Sequence, residues 1–233
     1  TAVPFSEVIS FLWLNKRTFR AIFIAYAFSG TAFYGFLSWI PEYIRRTHDW
    51  DIGSAGILFG SIYAVFGTAG TLTGGWINDW MTGKGYQDAA LRCCTAFFAI
   101  AMPFMVLTPL MPNMTYVIPM LALMAFTKSM QQALSPVAIQ LSTPNEMRAQ
   151  VTSIFFVASS FPSIALGATS VALLTDFVFK DDAAIGYSLA IVGGVMMTLA
   201  TISMFTGIKP YRASLERSME WRDDNQAASD RSA

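Results

Sequence analysis

A chain of 233 residues that is 54% hydrophobic and only 13% charged, with a mean hydropathy of +0.47, has too few polar groups to cover a water-facing surface; soluble domains of this size carry about 25% charged residues. Fifteen basic and fifteen acidic side chains cancel to a formal net charge of zero, which argues against a nucleic-acid partner. The expected solvent is lipid, so where the charges fall matters more than their sum.

His48 is the only histidine, and Cys93 and Cys94 are neighbours on a predicted helix, pointing in different directions. A multi-histidine metal site, a Ser-His triad and a disulfide are therefore disfavoured, leaving no catalytic residue, cofactor or metal to expect. The chain starts at Thr1 with a mixed stretch up to Leu14 that lacks the charged start and cleavage site of a signal peptide. The expectation is a fragment whose amino-terminal part is missing, with residues 1–17 as a cytoplasmic lead-in.

A bilayer core about 30 Å thick needs roughly 20 helical residues at 1.5 Å each. Six segments meet that length, at 18–40, 53–77, 91–110, 114–139, 149–179 and 185–208. In the first, Tyr26, Gly30, Tyr34 and Ser38 recur every four residues, next to Ser29 and Thr31. Two readings stand for this face: an amphipathic ligand surface, or a helix–helix contact whose hydroxyls bond backbone carbonyls. In the second, Asp51 or Ser54 serves as a cap. Its run of Gly56, Gly60, Ala64, Gly67, Gly70 and Gly74 reads as close helix packing, since no phosphate-loop ending follows.

The third and fourth segments hold Pro103 and Pro136 and the fifth holds Pro162, each expected to bend its helix. The fourth segment also carries Lys128. A lysine at mid-bilayer costs about 2.5–3.5 kcal/mol on insertion scales. Gln131, Gln132 and Ser135 follow it at helical spacing, forming a polar stripe that should face a wet cavity or another helix. No Asp or Glu lies deep in any segment, so a carboxylate partner must come from a missing half or from a substrate. Ser160, with Ser159 and Ser163 beside Pro162, is expected to line the same cavity.

The fifth segment is preceded by Thr143-Pro144-Asn145-Glu146, which reads as a helix start with Thr143 and Glu146 closing a capping box. After Gly207 the spacing of Tyr211, Leu215 and Met219 predicts a short amphipathic helix on the cytoplasmic membrane surface, and 223–233 reads as a disordered tail. With both ends inside, eleven cations (Lys16, Arg17, Arg20, Lys84, Arg92, Arg148, Lys209, Arg212, Arg217, Arg222 and Arg231) face the cytoplasm, against Arg45, Arg46 and Lys180 outside. That bias sets the orientation.

The loop after the second segment, Gly74-Gly75-Trp76-Ile77-Asn78-Asp79-Trp80-Met81-Thr82-Gly83-Lys84, resembles the Gly-x-x-x-Asp signature of the major facilitator superfamily. Gly75, Asp79, Gly83 and Lys84 match it; Trp80 stands where a basic residue is usual, and one extra residue precedes Gly83. Pro144, Glu146 and Arg148 resemble the Pro-x-Glu-x-Arg segment that opens helix eleven of that family, and the general run is similar to its spinster-like branch. The resemblance implies an all-α polytopic membrane bundle, with six transmembrane helices (seven to twelve) forming one half of a 12-helix fold. It further implies a secondary transporter, a symporter or antiporter of a bacterial inner membrane, working by alternating access. Its partners would be a missing amino-terminal half, membrane lipid, a small-molecule substrate and a coupling proton or sodium ion. Tyr26, Tyr34, Lys128, Gln131, Gln132 and Ser160 are the expected substrate-cavity residues. Gly75, Asp79, Gly83, Lys84, Glu146 and Arg148 would form a cytoplasmic gate, with Asp79 meeting a neighbouring helix end and Lys84 or Arg148 pairing with it or with other loop acids. A self-contained six-helix channel or scaffold, and a permease subunit driven by a separate ATPase, are the alternatives.

Overall fold

The computed structural model describes residues 3–232, with side chains through 218. Its described residues are almost all helical, joined by short turns. Helix α1 (Phe5–Leu14) is followed by six long helices: α2 (Lys16–His48), α3 (Ile52–Gly83), α4 (Ala89–Leu107), α5 (Met114–Leu141), α6 (Arg148–Phe179) and α7 (Ile185–Ser232). Five of the long helical segments contain a stretch long and apolar enough to cross a bilayer. The sixth long helix, α5, has the length at 28 residues, and its polar stripe is what lowers its hydropathy.

Apolar surface is turned outward, as a lipid solvent requires. Phe161, Val157, Leu72 and Phe205 are each more than two-thirds exposed, while Ile22, Phe36, Phe98 and Leu121 are sealed inside. Helix α2 is the spine, packing along both α6 and α7; α4 bridges α7 to α5, and α5 carries α3 on its far side. Helices α5 and α6 meet only slightly, and that opening is the cleft described below.

Two seams explain the small-residue positions. A Cβ on Gly74 would sit 2.7 Å from the Met130 carbonyl oxygen, and one on Gly167 would sit 2.9 Å from the Gly35 amide. Only hydrogen side chains allow α3 to lie on α5, and α6 on α2, at this distance. Gly56 and Gly60, in the same run as Gly74, face open space instead. Both α3 and α6 widen into a π turn, at Tyr63–Gly67 and Leu174–Phe179.

Helix ends follow local chemistry. The Asp51 carboxylate accepts from the Ser54 amide at 3.0 Å, so Asp51 is the cap of α3. The capping box expected at Thr143 does not form. Its hydroxyl donates backward to the Ile139 carbonyl at 2.7 Å, closing the end of α5, and α6 begins only at Arg148 with no side-chain cap. Pro103, Pro136 and Pro162 all lie inside unbroken helices. The separate surface helix expected after Gly207 is instead a continuation of α7 through Pro210. Its stripe does not face lipid: Tyr211 and Leu215 are buried against the bundle, and Ser214 meets the Thr18 hydroxyl at 2.8 Å. Met219 and the expected tail at 223–233 have side chains outside the described residues.

Ionic ties mark the two ends of the bundle. At one, Glu42 holds Arg45 and Arg46, and Arg46 reaches Asp182 before α7 at 3.3 Å. At the other, Asp88 before α4 binds Arg212 at 2.5 Å and Arg92 at 2.9 Å, and Arg217 donates to the Asn15 side chain at 2.9 Å. Burial pushes the Asp88 carboxyl up, but its hydrogen bonds and charge attraction with the two guanidiniums outweigh that and hold it below its ordinary range. This second end gathers the start of α2, the α3–α4 turn and the continuation of α7, in keeping with an alternating up-and-down path.

Candidate substrate cleft and basic-end loops

Lys128 projects from the middle of α5, is 3% exposed, and donates from Nζ to the Ser29 hydroxyl of α2 at 2.9 Å. Gln131, one turn further, donates from Nε2 to the same oxygen at 3.1 Å. Tyr26 donates its phenol to the Gln131 backbone carbonyl at 2.7 Å. These bonds tie α5 to α2. No carboxylate comes within ion-pair distance of Lys128 among the described residues; its other neighbour is the Phe33 ring, 5.5 Å from Nζ. A buried lysine amine whose partners are a hydroxyl and a ring face is an incomplete arrangement for a charge, because charge held out of water is normally paired.

Above Lys128 lies a cleft of about 80 Å³ between α2, α5 and α6. It brings together five of the six expected residues: Tyr26, Tyr34, Lys128, Gln132 and Ser160. Gln131 does not line it. That side chain is fully buried behind Ser29, and its Oε1 has no hydrogen-bond partner among the described residues. Tyr26 serves mainly as a packing post, since its hydroxyl is committed to α5 and its ring stands edge-on to Phe98 and Phe155. Ser159 and Ser163 also line the cleft, their hydroxyls bonded to backbone carbonyls: Ser159 to Phe155 at 2.6 Å, and Ser163 to Ser159 at 2.6 Å and Ala27 at 3.0 Å.

Sequence alone does not mark the aromatic side of the wall. Phe33, Phe155 and Phe156 also line the cleft, yet in sequence they look like the many phenylalanines that face lipid. The stripe of Lys128 pointed to α5, but nothing local marked Ser29 as its acceptor.

The expected gate residues sit at the basic end. Gly75 and Gly83 face open space. Asp79 is exposed, with the Asn78 amide 3.4 Å from its carboxylate. Lys84 lays its ammonium 3.8 Å over the Trp80 ring, so the aromatic that replaces a basic residue in the motif holds the next cation in place. Glu146 is exposed, and Arg148 donates from Nε to the carbonyls of Gln140 at 2.9 Å and Thr143 at 3.3 Å, fastening the α5–α6 turn.

An outward-facing apolar surface, long apolar helices and an internal polar cleft that holds the buried Lys128 side chain define a polytopic integral membrane bundle. The family model described as the Major Facilitator Superfamily matches residues 1–168, and the chain belongs to that superfamily. Among curated relatives, it is 26% identical over 97 residues to the "Probable L-galactonate transporter" of Escherichia coli (strain K12), a match covering 38% of this chain and 21% of that protein. It is 22% identical over 102 residues to the "Uncharacterized transporter YybO" of Bacillus subtilis (strain 168), covering 44% and 23%. Its fold is similar to crystal structures of a bacterial homolog to the human lysosomal transporter Spinster in inward-facing conformation. The occupied form gives a TM-score of 0.61 at 16% identity over 87% of this chain, and the unoccupied form 0.65 at 15% over 93%. The chain spans about half the length of those solved structures, 49% and 51%.

Proposed function

We propose that this chain is the carboxyl-terminal half of a secondary transporter that moves a small organic anion by alternating access. The observation that carries the reading is Lys128: an ionisable amine held inside the bundle, on a cleft, with a hydroxyl where a carboxylate would be expected. The cleft's volume of about 80 Å³ falls well below the ~300–1,000 Å³ of sites that enclose a drug-sized ligand. It is therefore read as half a site, completed at the bilayer midplane by an amino-terminal six-helix half. The carboxylate of the substrate, or an acid on that other half, neutralises Lys128. Phe33, Phe155 and Phe156 supply apolar area, and Tyr34, Gln132 and Ser160 supply hydrogen bonds.

The name of the Escherichia coli relative makes a sugar acid such as L-galactonate the first substrate to try. The basic end is assigned to the cytoplasm by its excess of Lys and Arg, and Asp79, Glu146 and Arg148 are assigned to the closure of that side against the other half. Coupling to a proton or sodium gradient belongs to the same proposal.

The test is uptake of radiolabelled L-galactonate and other sugar acids by the full-length protein in proteoliposomes. Losing a charged hydrogen-bond donor costs about 1.5–3 kcal/mol, or roughly 10- to 100-fold. Lys128→Met is expected to cut uptake by that factor for any anion carried, and Lys128→Arg by less. Unchanged uptake and unchanged pH dependence in Lys128→Met would refute the assignment.

A further inference from the structure

A second polar cavity, of about 390 Å³, opens at the basic end, far from the cleft. Lys16 and Arg17 reach it from the first turn of α2, and Lys209 and Arg217 from the continuation of α7. Its floor is the Thr18–Ser214 hydroxyl pair, both residues almost wholly buried. No carboxylate lines it among the described residues, and the first turn of α2 contains no acid. Of the nearby acids, Asp88 binds Arg212 and Arg92, Glu7 lines a separate cavity alongside Arg217, and Glu216 is exposed and does not line the hollow. Four cations thus converge on a hollow that also receives the positive end of a 33-residue helix.

The level of this hollow and its surroundings define what it takes. Lys16, Arg17 and Lys209 lie within two residues of the predicted span ends at 18 and 208, which is head-group depth. Beside it, α1 buries Val8 and Phe11 against the bundle and turns Phe5, Ile9 and Trp13 outward at one-turn spacing, Trp13 70% exposed. Such a stripe next to a cationic rim is the pattern of a helix lying in the membrane interface. Trp13 also carries the Lys16 ammonium 4.9 Å over its ring, linking apolar anchor to charge.

We propose that this rim cavity binds the phosphodiester head group of an anionic phospholipid from the surrounding leaflet, with the acyl chains running along Trp13 and Leu14. Lys16, Arg17 and Lys209 supply the charge; Arg217 shapes the wall through its bonds to the Asn15 side chain at 2.9 Å and the Leu14 carbonyl at 3.4 Å. The site is independent of the substrate cleft and stands or falls separately from Lys128.

The experiment is native mass spectrometry of the full-length protein in detergent, titrated with phosphatidylglycerol, phosphatidylcholine or inorganic phosphate. One phosphatidylglycerol is expected to be retained where phosphatidylcholine is not, and excess inorganic phosphate is expected to leave it in place. Each cation near an anionic head group is worth about fivefold, so the triple variant Lys16→Gln/Arg17→Gln/Lys209→Gln should weaken retention about 100-fold. Should that variant fail to fold, Lys209→Gln alone, at an exposed position, should weaken it about fivefold while Lys209→Arg preserves it. Equal retention by the neutralised variants, equal retention of phosphatidylcholine, or full displacement by inorganic phosphate would each overturn the proposal.

Discussion

Gly74 and Gly75 are adjacent in sequence and opposite in circumstance. A Cβ on Gly74 would lie 2.7 Å from the Met130 carbonyl oxygen, 2.9 Å from its Cα and 3.1 Å from its carbonyl carbon. Ordinary contact begins near 3.4 Å, so α3 must retreat by 3.4 − 2.7 = 0.7 Å. All three atoms are backbone of a long helix, so no side chain can swing aside. Overpacking of this kind costs about 1–3 kcal/mol. For a chain of this length each kcal/mol is worth roughly 2–4 °C, giving Gly74→Ala a fall in Tm of about 2–12 °C. A Cβ on Gly75 meets nothing within 4 Å, and alanine is the better helix former. Gly75→Ala is therefore expected to leave Tm within about 2 °C or raise it. The assay is thermal unfolding of the full-length protein in detergent, with uptake measured alongside. If the two variants shift Tm equally, or Gly74→Ala does not lower it, the α3–α5 seam is not as close as described. A Gly75→Ala variant with normal Tm but impaired uptake would locate the other half's contact at that glycine.

Three other outcomes follow from named contacts. Ser29→Ala removes the oxygen that both Lys128 and Gln131 donate to, stranding two buried donors, and is expected to cost about 1–3 kcal/mol in detergent unfolding while altering uptake; a neutral result would contradict the shared bond. Asp88→Asn breaks the pairs to Arg92 and Arg212, whose guanidiniums are partly exposed, so the loss is about 1–2 kcal/mol, or roughly 2–8 °C in Tm at neutral pH. Because the Asp88 carboxyl titrates below its ordinary 3.8, its contribution is complete above that value and disappears as pH falls through the depressed one. The variant's stability should change less than the parent's in that acid window, and parallel acid curves would refute the pairing. For orientation, Lys180→Cys is expected to react with an impermeant maleimide added outside intact cells and Lys84→Cys only after lysis; Cys93 and Cys94 are buried and contribute little background. The reverse pattern would invert the bundle.

The spans were legible because hydrocarbon leaves few options: each long apolar run had to close its own hydrogen bonds. Lys128 was legible for the same reason, since a mid-bilayer ammonium stands out against any apolar background. What sequence could not supply was depth of packing. Gly60 and Gly74 share one periodic run, yet only Gly74 touches backbone across the seam. Gln131 and Gln132 are equally polar neighbours, but a 100° step on α5 buries the first behind Ser29 and opens the second to the cleft. Thr143 satisfied the pattern of a helix start, and lost that role because the unfinished end of α5 was the nearer acceptor. The continuation after Gly207 had a membrane-surface stripe in its spacing, but Tyr211 and Leu215 are buried, and the neighbouring Ser214 bonds Thr18, almost two hundred positions away.

The ties made by Asp88, Asn15 and Thr18 carry a mechanical consequence. They fasten the beginnings of α2 and α4 to the continuation of α7, so three helices are stapled together at one rim by polar contacts. The bordering end of α3, around Asp79 and Trp80, is exposed on the outside of that staple. Any flexing inside this half is thereby steered away from the stapled trio and onto the glycine-lined boundary of α3 with α5. Amide deuterium uptake would trace such a division as slow exchange in the first turns of α2 and α4 beside faster exchange in the last turns of α3.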